Sequence, residues 1–454
     1  MAQPQYRTAP EHTTGMPAGV PFIVGNELAE RFSYYGMKTI LVVFMTQHLR
    51  NAHGQLAPMS AGDAKATFHL FAAGAYFFPL FGAVLSDAFW GKYRTIMMLS
   101  VVYCLGHFAL AADESRLGLY AGLSLIALGA GGIKPCVSAH VGDQFGKENE
   151  SLLERVFSWF YFAINLGSFV STLLTPLLLE HLGPKIAFGV PGVLMVLATL
   201  VFWLGRGRFA HIPPAGKGFI GDLISREGRK LVAQVGVLIL FISMFWALYD
   251  QTGSAWVLQA DHMDLHFLGV TWLSSQIQAV NPIVVLVFIP LFAYAVYPAM
   301  GKLFHVTPLR KISIGFFLMV LTFLIPAYIE LRLGAGVRMN IAWQILAYVV
   351  LTASEVMVYG TGLEFFYTQA PNHLKSLVMA LFLLSVSIGN LFTSEVNKYI
   401  QNPDGTSKLP GASYYLFFAG LMFMTSVAFI FYAMRYRERR FVQGDQAGDT
   451  LAST

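Results

Sequence analysis

Lys134 stands in GAGGIKPCVSAH, deep in an otherwise apolar run. A lone lysine in such surroundings either loses its proton or needs a carboxylate partner. The natural partners are Glu27 and Glu30 in GNELAERFSYYG, where Glu27, Glu30, Arg31 and Tyr34 recur at helical spacing and share one face. A carboxylate paired with a lysine can exchange that partner for a proton, which gives a physical route to proton coupling. Asp250 in FWALYDQTGS, and Glu355 and Glu364 in SEVMVYGTGLEFFYTQAP, stand in or near the ends of other apolar runs. Ionisable groups are costly in lipid, so they tend to face a cavity and carry function. Plainer explanations exist for several of them. Glu27 and Glu30 could be interfacial, Asp250 could be solvated at an outer helix end, and Glu364 could belong to a structural ion pair.

The elements that must position these groups are membrane helices. Of the 454 residues, 56% are hydrophobic and 12% charged, against about 25% charged in an average soluble domain. Lipid solvates apolar side chains directly, so such a chain needs little polar surface. Twelve apolar segments of spanning length follow one another: 20–48, 66–90, 94–112, 117–143, 155–181, 186–205, 231–254, 277–300, 309–330, 341–369, 374–400 and 412–435. The long links are 49–65, 206–230 and 255–276. The last, with Trp256 and Trp272 beside Asp261, His262 and Asp264, is expected to lie partly at an interface.

The net charge of +5 reflects topology and not nucleic-acid binding, because the basic residues sit in short loops. With both termini inside, most Lys and Arg fall on the inner side, as cytoplasmic termini require. Cys104 and Cys136 lie in apolar segments, which argues against a disulfide framework. The first 19 residues are polar with no apolar h-region, so no cleavable signal peptide is expected.

The basic linker 206–230 divides the segments six and six. The expected organisation is an inner tail at 1–19, bundles at 20–205 and 231–436 joined by that linker, and an inner tail at 437–454. Two six-helix halves with a site between them is a transporter layout. Arg31 and Lys134 belong to the first half and suit a carboxylate; Glu355 belongs to the second and suits an ammonium. A zwitterion between them would draw the halves together. Asn165 and Asn281 can bond backbone amides, and Tyr34, Tyr76 and Trp246 can line side-chain pockets.

The chain resembles the proton-dependent oligopeptide transporter family over nearly its full length. The matching blocks are ELAERFSYYG (27–36), AYFFPLFGAVLSDAFWGKYRT (75–95), GAGGIKPCVSAHVGDQF (129–145), FYFAINLGS (160–168), FWALYDQTGS (245–254), QAVNP (278–282) and EVMVYGTGLEFFYTQAP (355–371). The resemblance implies an all-α membrane protein of the major facilitator fold that imports di- and tripeptides with protons, with no cofactor. It assigns proton coupling to Glu27, Glu30, Lys134, Asp250 and His69. Substrate binding falls to Arg31, Tyr34, Tyr35, Tyr76, Lys134, Asn165, Trp246, Asn281, Glu355 and Glu364. Asp250 is expected to gate the outer side together with Arg31 or its surroundings. Gly82, Asp87, Gly91, Lys92 and Arg94 match an inner-side element of the superfamily whose charges can clamp neighbouring helix ends.

His69 and Glu364 make the chain similar to the animal members. The linker 206–230 is too short for the two extra central helices of many bacterial members, and 331–340 has no room for the large outer domain of animal ones. The expected setting is the cell (inner) membrane, with peptides, protons and lipid as partners, no nucleic acid, and a monomer. Rival readings are transport of another small anionic or zwitterionic solute, such as nitrate or a modified amino acid, and a membrane enzyme, channel or sensor. Glu355 argues for an amino end in the ligand and so against nitrate. No HExxH or Gly-x-Ser-x-Gly occurs to support an enzyme.

Overall fold

Lipid offers the backbone no hydrogen-bond partners, so apolar stretches of spanning length must satisfy themselves as helices. The computed structural model describes residues 6–214, 216, 221, 225–368 and 375–436. The first run of helices is α1 (Val20–Val43), α2 (Ala61–Val84), α3 (Lys92–Ala112), α4 (Arg116–Gly142), α5 (Leu153–Leu182) and α6 (Pro184–Leu204). The second is α7 (Arg226–Tyr249), α8 (Ala255–Ala260), α9 (Val280–Leu291), α10 (Tyr297–Gly301), α11 (Pro308–Gly334), α12 (Ala342–Glu355), α13 (Thr361–Thr368), α14 (Lys375–Ile400) and α15 (Ala412–Arg435). A two-stranded ribbon, β1 (His266–Phe267) and β2 (Val270–Thr271), follows α8.

Among the described residues, 11 helical runs are long and apolar enough to cross a membrane. This is a multi-pass, nearly all-helical membrane protein. The count of twelve expected from the sequence also includes α1, which continues through a π turn at Phe44–His48 and matches the others in length. Its apolarity is lowered by Glu27, Glu30, Arg31 and Lys38. Buried apolar side chains form two clusters, one drawn from Val20 to Phe209 with Val257 added, the other from Val235 to Phe429. The expected tail at 437–454, part of the linker 206–230, and Gln369–Pro371 lie outside the described residues.

One expectation fails at the seventh segment. The helix does not end at 254. It bends through a 3₁₀ turn at Asp250–Gly253 and continues as α8, so the link begins after Ala260. Trp256 is fully buried against Phe323 and Tyr348, not interfacial. The Trp256 carbonyl accepts from Gln344 Nε2 at 2.9 Å, so α12 holds this extra turn inside the bundle.

Two glycines set the local geometry of α2. At Gly82 the helix lies against Gly132 of α4, and a Cβ would meet the Gly132 carbonyl; small residues of this kind let membrane helices approach closely. At Gly91 the chain turns with φ 76°, a left-handed conformation that glycine adopts without strain.

Candidate functional site

Three polar groups lie among the helices. The first is within α1. Arg31 Nε lies 2.7 Å from Glu27 Oε1, one helical turn earlier, and 2.7 Å from Glu30 Oε2 of the adjacent residue; the Glu27 contact is also a well-directed hydrogen bond. All three side chains are buried. Glu27 and Glu30 were the expected partners of Lys134, and the structure corrects this. Arg31 takes both carboxylates, because it reaches them from its own helix. Lys134 comes from α4, and its ammonium lies 4.2 Å from the centre of the Tyr34 ring and 4.1 Å from that of Tyr76. The Lys134 Nζ and Tyr34 hydroxyl are buried without a hydrogen-bond partner among the described residues. Tyr34 is fully buried and acts here as a floor for Lys134, not as open cavity wall.

The second group joins the two halves. Lys38 Nζ donates to Asp250 Oδ1 at 2.7 Å. Asn390 Nδ2 donates to Asp250 Oδ2 at 2.6 Å, and the Asn390 carbonyl oxygen lies 2.7 Å from His69 Nδ1. His69 Nε2 lies 2.9 Å from Ser254 Oγ. His69, Asp250 and Asn390 are all buried. The expected Asp250 partner was Arg31 or its surroundings; it is Lys38. Lys38, Ser254 and Asn390 were missed by the sequence reading. Lys38 carries a usable signal, since it lies two helical turns beyond Arg31 on the same face. Asn390 carries none, because a single amide in an apolar run has many possible uses.

The third group belongs to the second half. Asn281 Nδ2 donates to Glu355 Oε2 at 2.7 Å and to Thr352 Oγ1 at 3.1 Å. Tyr249 donates its hydroxyl to Asn281 Oδ1 at 3.3 Å. Trp246 packs edge-on against Tyr249 and Tyr359. Between the second and third groups lies a cavity lined by Tyr35, Lys38, Tyr249, Asp250, Gln278 and Asn281. Asn165 is buried, and its amide donates to the Tyr161 carbonyl at 2.9 Å. Glu364 is exposed on α13 and makes no hydrogen bond or ion pair among the described residues.

The expected clamp is a contact within one half. Lys92 Nζ donates to Asp143 Oδ2 at 2.7 Å, tying the start of α3 to the end of α4. Asp87 accepts from Ser86 Oγ at 3.0 Å, and Arg94 is exposed. Burial holds the Asp143 carboxyl above the usual carboxylate range, with Lys92 offsetting only part of that push.

Among the described residues, the side-chain hydrogen bonds between halves lie on the face opposite the two termini. Besides the second group they include Gln401 to Ser60, Ser394 to Ala66, Gln276 to Leu173 and Gln278 to Thr39. These contacts hold the halves together on that face. No three His, Cys, Asp or Glu among the described residues are grouped so as to hold a metal ion.

The sequence pattern of PTR2, the POT family, matches residues 93–226 and 222–415. The chain belongs to the POT family. Similar relatives include Peptide transporter family 1 of Drosophila melanogaster, 38% identical over 70% of this chain and 48% of its own length. Another is Solute carrier family 15 member 2 of Homo sapiens, 37% identical over 70% of this chain and 49% of its own. The chain thus spans about half the length of the curated relatives it matches. Among solved structures, the POT family transporter PepTSo superposes with TM-score 0.85 at 35% identity, covering 93% of this chain and 99% of that one. An auto-inhibited POT family peptide transporter gives 0.84 at 34% identity, covering 95% and 99%. This POT family member therefore shares the helical fold of those solved POT family transporters.

Proposed function

We propose that the protein imports di- and tripeptides together with protons, by alternating access in the cell membrane, as a monomer with both termini in the cytoplasm. The reading rests chiefly on one observation. The Asn281–Glu355 pair presents a carboxylate and an amide from the second half, while Arg31 and Lys134 stand in the first. A peptide carries the complementary charges at its two ends. Its carboxylate suits Arg31 and Lys134, and its ammonium suits Glu355. Lys134 is held on two aromatic rings instead of by a carboxylate, so its charge is available to a ligand. Names of relatives, which include peptide transporters, support the substrate class.

The Lys38–Asp250–Asn390–His69 chain is the proposed coupling group. A proton on Asp250 removes the ion pair with Lys38, and a proton on His69 changes what it can exchange with Asn390 and Ser254. Either weakens the closure between the halves, so proton loading accompanies outer opening. Glu27 and Glu30 form a second proton-binding group beside the substrate carboxylate. One inward charge at 100 mV supplies about 2.3 kcal/mol, enough for roughly a 50-fold solute gradient. A positive-inside distribution of loop charges supports cytoplasmic termini.

The test is uptake of a labelled dipeptide into proteoliposomes under an inward pH gradient, with an N-acetylated dipeptide and with nitrate as competitors. Concentrative uptake blocked by free dipeptides and little affected by the other two is expected. Accumulation that ignores the pH gradient, or competition by nitrate alone, would overturn the proposal.

A further inference from the structure

A second contact closes the same face of the protein at a distance from the Lys38–Asp250 group. Lys65 lies near the start of α2 and Tyr414 in the first turn of α15, so they come from different halves. The Lys65 ammonium is 3.8 Å from the centre of the Tyr414 ring, well inside the range of a cation–π contact. Tyr414 is 4% exposed, and its hydroxyl accepts from Asn397 Nδ2 at 3.3 Å, which fixes the ring from behind.

The acidic groups nearby are engaged elsewhere. Glu330 of α11 acts on Lys65 through space, but its Oε1 accepts from Gln259 at 2.9 Å. Asp63, on the Lys65 helix, accepts from Ser60 Oγ at 3.0 Å. The ring is thus the close partner of the ammonium. The surrounding backbone is drawn tight as well. Gln401 Nε2 donates to Ser60 Oγ at 2.7 Å and Ser394 Oγ to the Ala66 carbonyl at 2.8 Å. A Cβ at Gly62 would run into the Gln401 side chain.

We propose that Lys65 and Tyr414 form a second outer latch between the halves, acting separately from Lys38 and Asp250. The inference rests on the alternating-access reading above. The two latches differ in chemistry. The Asp250 pair ends when its carboxylate takes a proton. A cation seated on a ring has no such carboxylate, so it persists through that step and is broken only when α2 and α15 part. It therefore sets how much of the protein stays closed on this face after the coupling group has let go.

Spin labels at the exposed loop positions His53 and Asp404, in a chain with Cys104 and Cys136 replaced by alanine, report the separation of the halves by pulsed electron paramagnetic resonance. No substrate or gradient is needed, so the result does not depend on what is transported. Lys65→Met, which keeps the stem and loses the charge, should raise the outer-open to outer-closed ratio by about two- to thirty-fold. Tyr414→Leu should do the same. Lys65→Arg and Tyr414→Phe keep cation and ring and should leave the ratio within about two-fold of the parent. Unchanged distances in Lys65→Met or Tyr414→Leu overturn the proposal. An equal shift in either conservative variant also overturns it, since cation and ring would then not be what holds. The two disruptive changes lie on different helices, so if one fails to fold the other still decides.

Discussion

At the scale of single residues, the common face of Glu27, Arg31 and Tyr34 was legible because they share one helix, whereas the partner of the glutamates was not, since the sequence reading gave them to Lys134. Spacings of three and four residues fix which side chains share a face of one helix. Lys134 shows the limit of that logic. Its burial was legible, but its neighbours were not, because they depend on how α4 lies against α1 and α2. The prediction there is that Lys134→Ala abolishes pH-driven accumulation in proteoliposomes while counterflow exchange of peptide persists; accumulation at the parent level would remove Lys134 from coupling. Glu355 gives a sharper test. In Glu355→Gln the Asn281 amide keeps a neutral partner, so the fold should hold, while a ligand ammonium loses a charged acceptor. Such a bond contributes about 1.5–3 kcal/mol, so KM for dipeptides with a free amino end should rise about ten-fold or more. N-acetylated peptides should lose less than about three-fold, and equal losses would deny Glu355 its role.

At the scale of elements, hydropathy marked the helices and missed where they bend. The seventh run meets the polar stretch DQTGS after Tyr249, which reads as its end, yet the chain only turns at Asp250–Gly253 and continues as helix. That bend brings Asp250, in the turn, and Ser254, just after it, to Lys38 of α1 and His69 of α2, so an element irregularity assembles the polar chain that joins the halves. Helix crossings are set by small residues that the sequence offers in excess. Of these Gly82 is a true contact, while Gly236 in α7 has open space around the position of a Cβ. Gly82→Val should therefore lower the melting temperature in detergent by about 5 °C or more, as overpacking does. Gly236→Ala should change it by less than about 1 °C. A Gly82→Val protein as stable as the parent would mean that α2 and α4 are not held at this distance.

At the scale of the whole molecule, the halves meet on one face through a few polar contacts, and the strongest of them is the buried Lys38–Asp250 pair. Breaking one side of a buried pair costs about 3–5 kcal/mol, so Asp250→Asn should open that face. A cysteine at Tyr35, in the cavity between the halves, should then react with a membrane-impermeant thiol reagent from that side at least about ten-fold faster. Lys92→Ala breaks a contact within one half and should leave the rate unchanged. Equal rates in Asp250→Asn and the parent would show that the pair does not hold the face shut. By itself the sequence determined the membrane environment, the helix set, and the charges placed against the preference of lipid, because these depend on local composition and spacing. It also carried enough motif to place the chain among POT transporters. Only the tertiary structure decided the pairings: Arg31 with both glutamates, Lys134 on Tyr34 and Tyr76, Lys38 with Asp250, and His69 with Asn390 and Ser254. Each except the first joins residues from different elements, and such distances follow from how the helices pack and from which way the chain continues after Tyr249, which local composition does not fix.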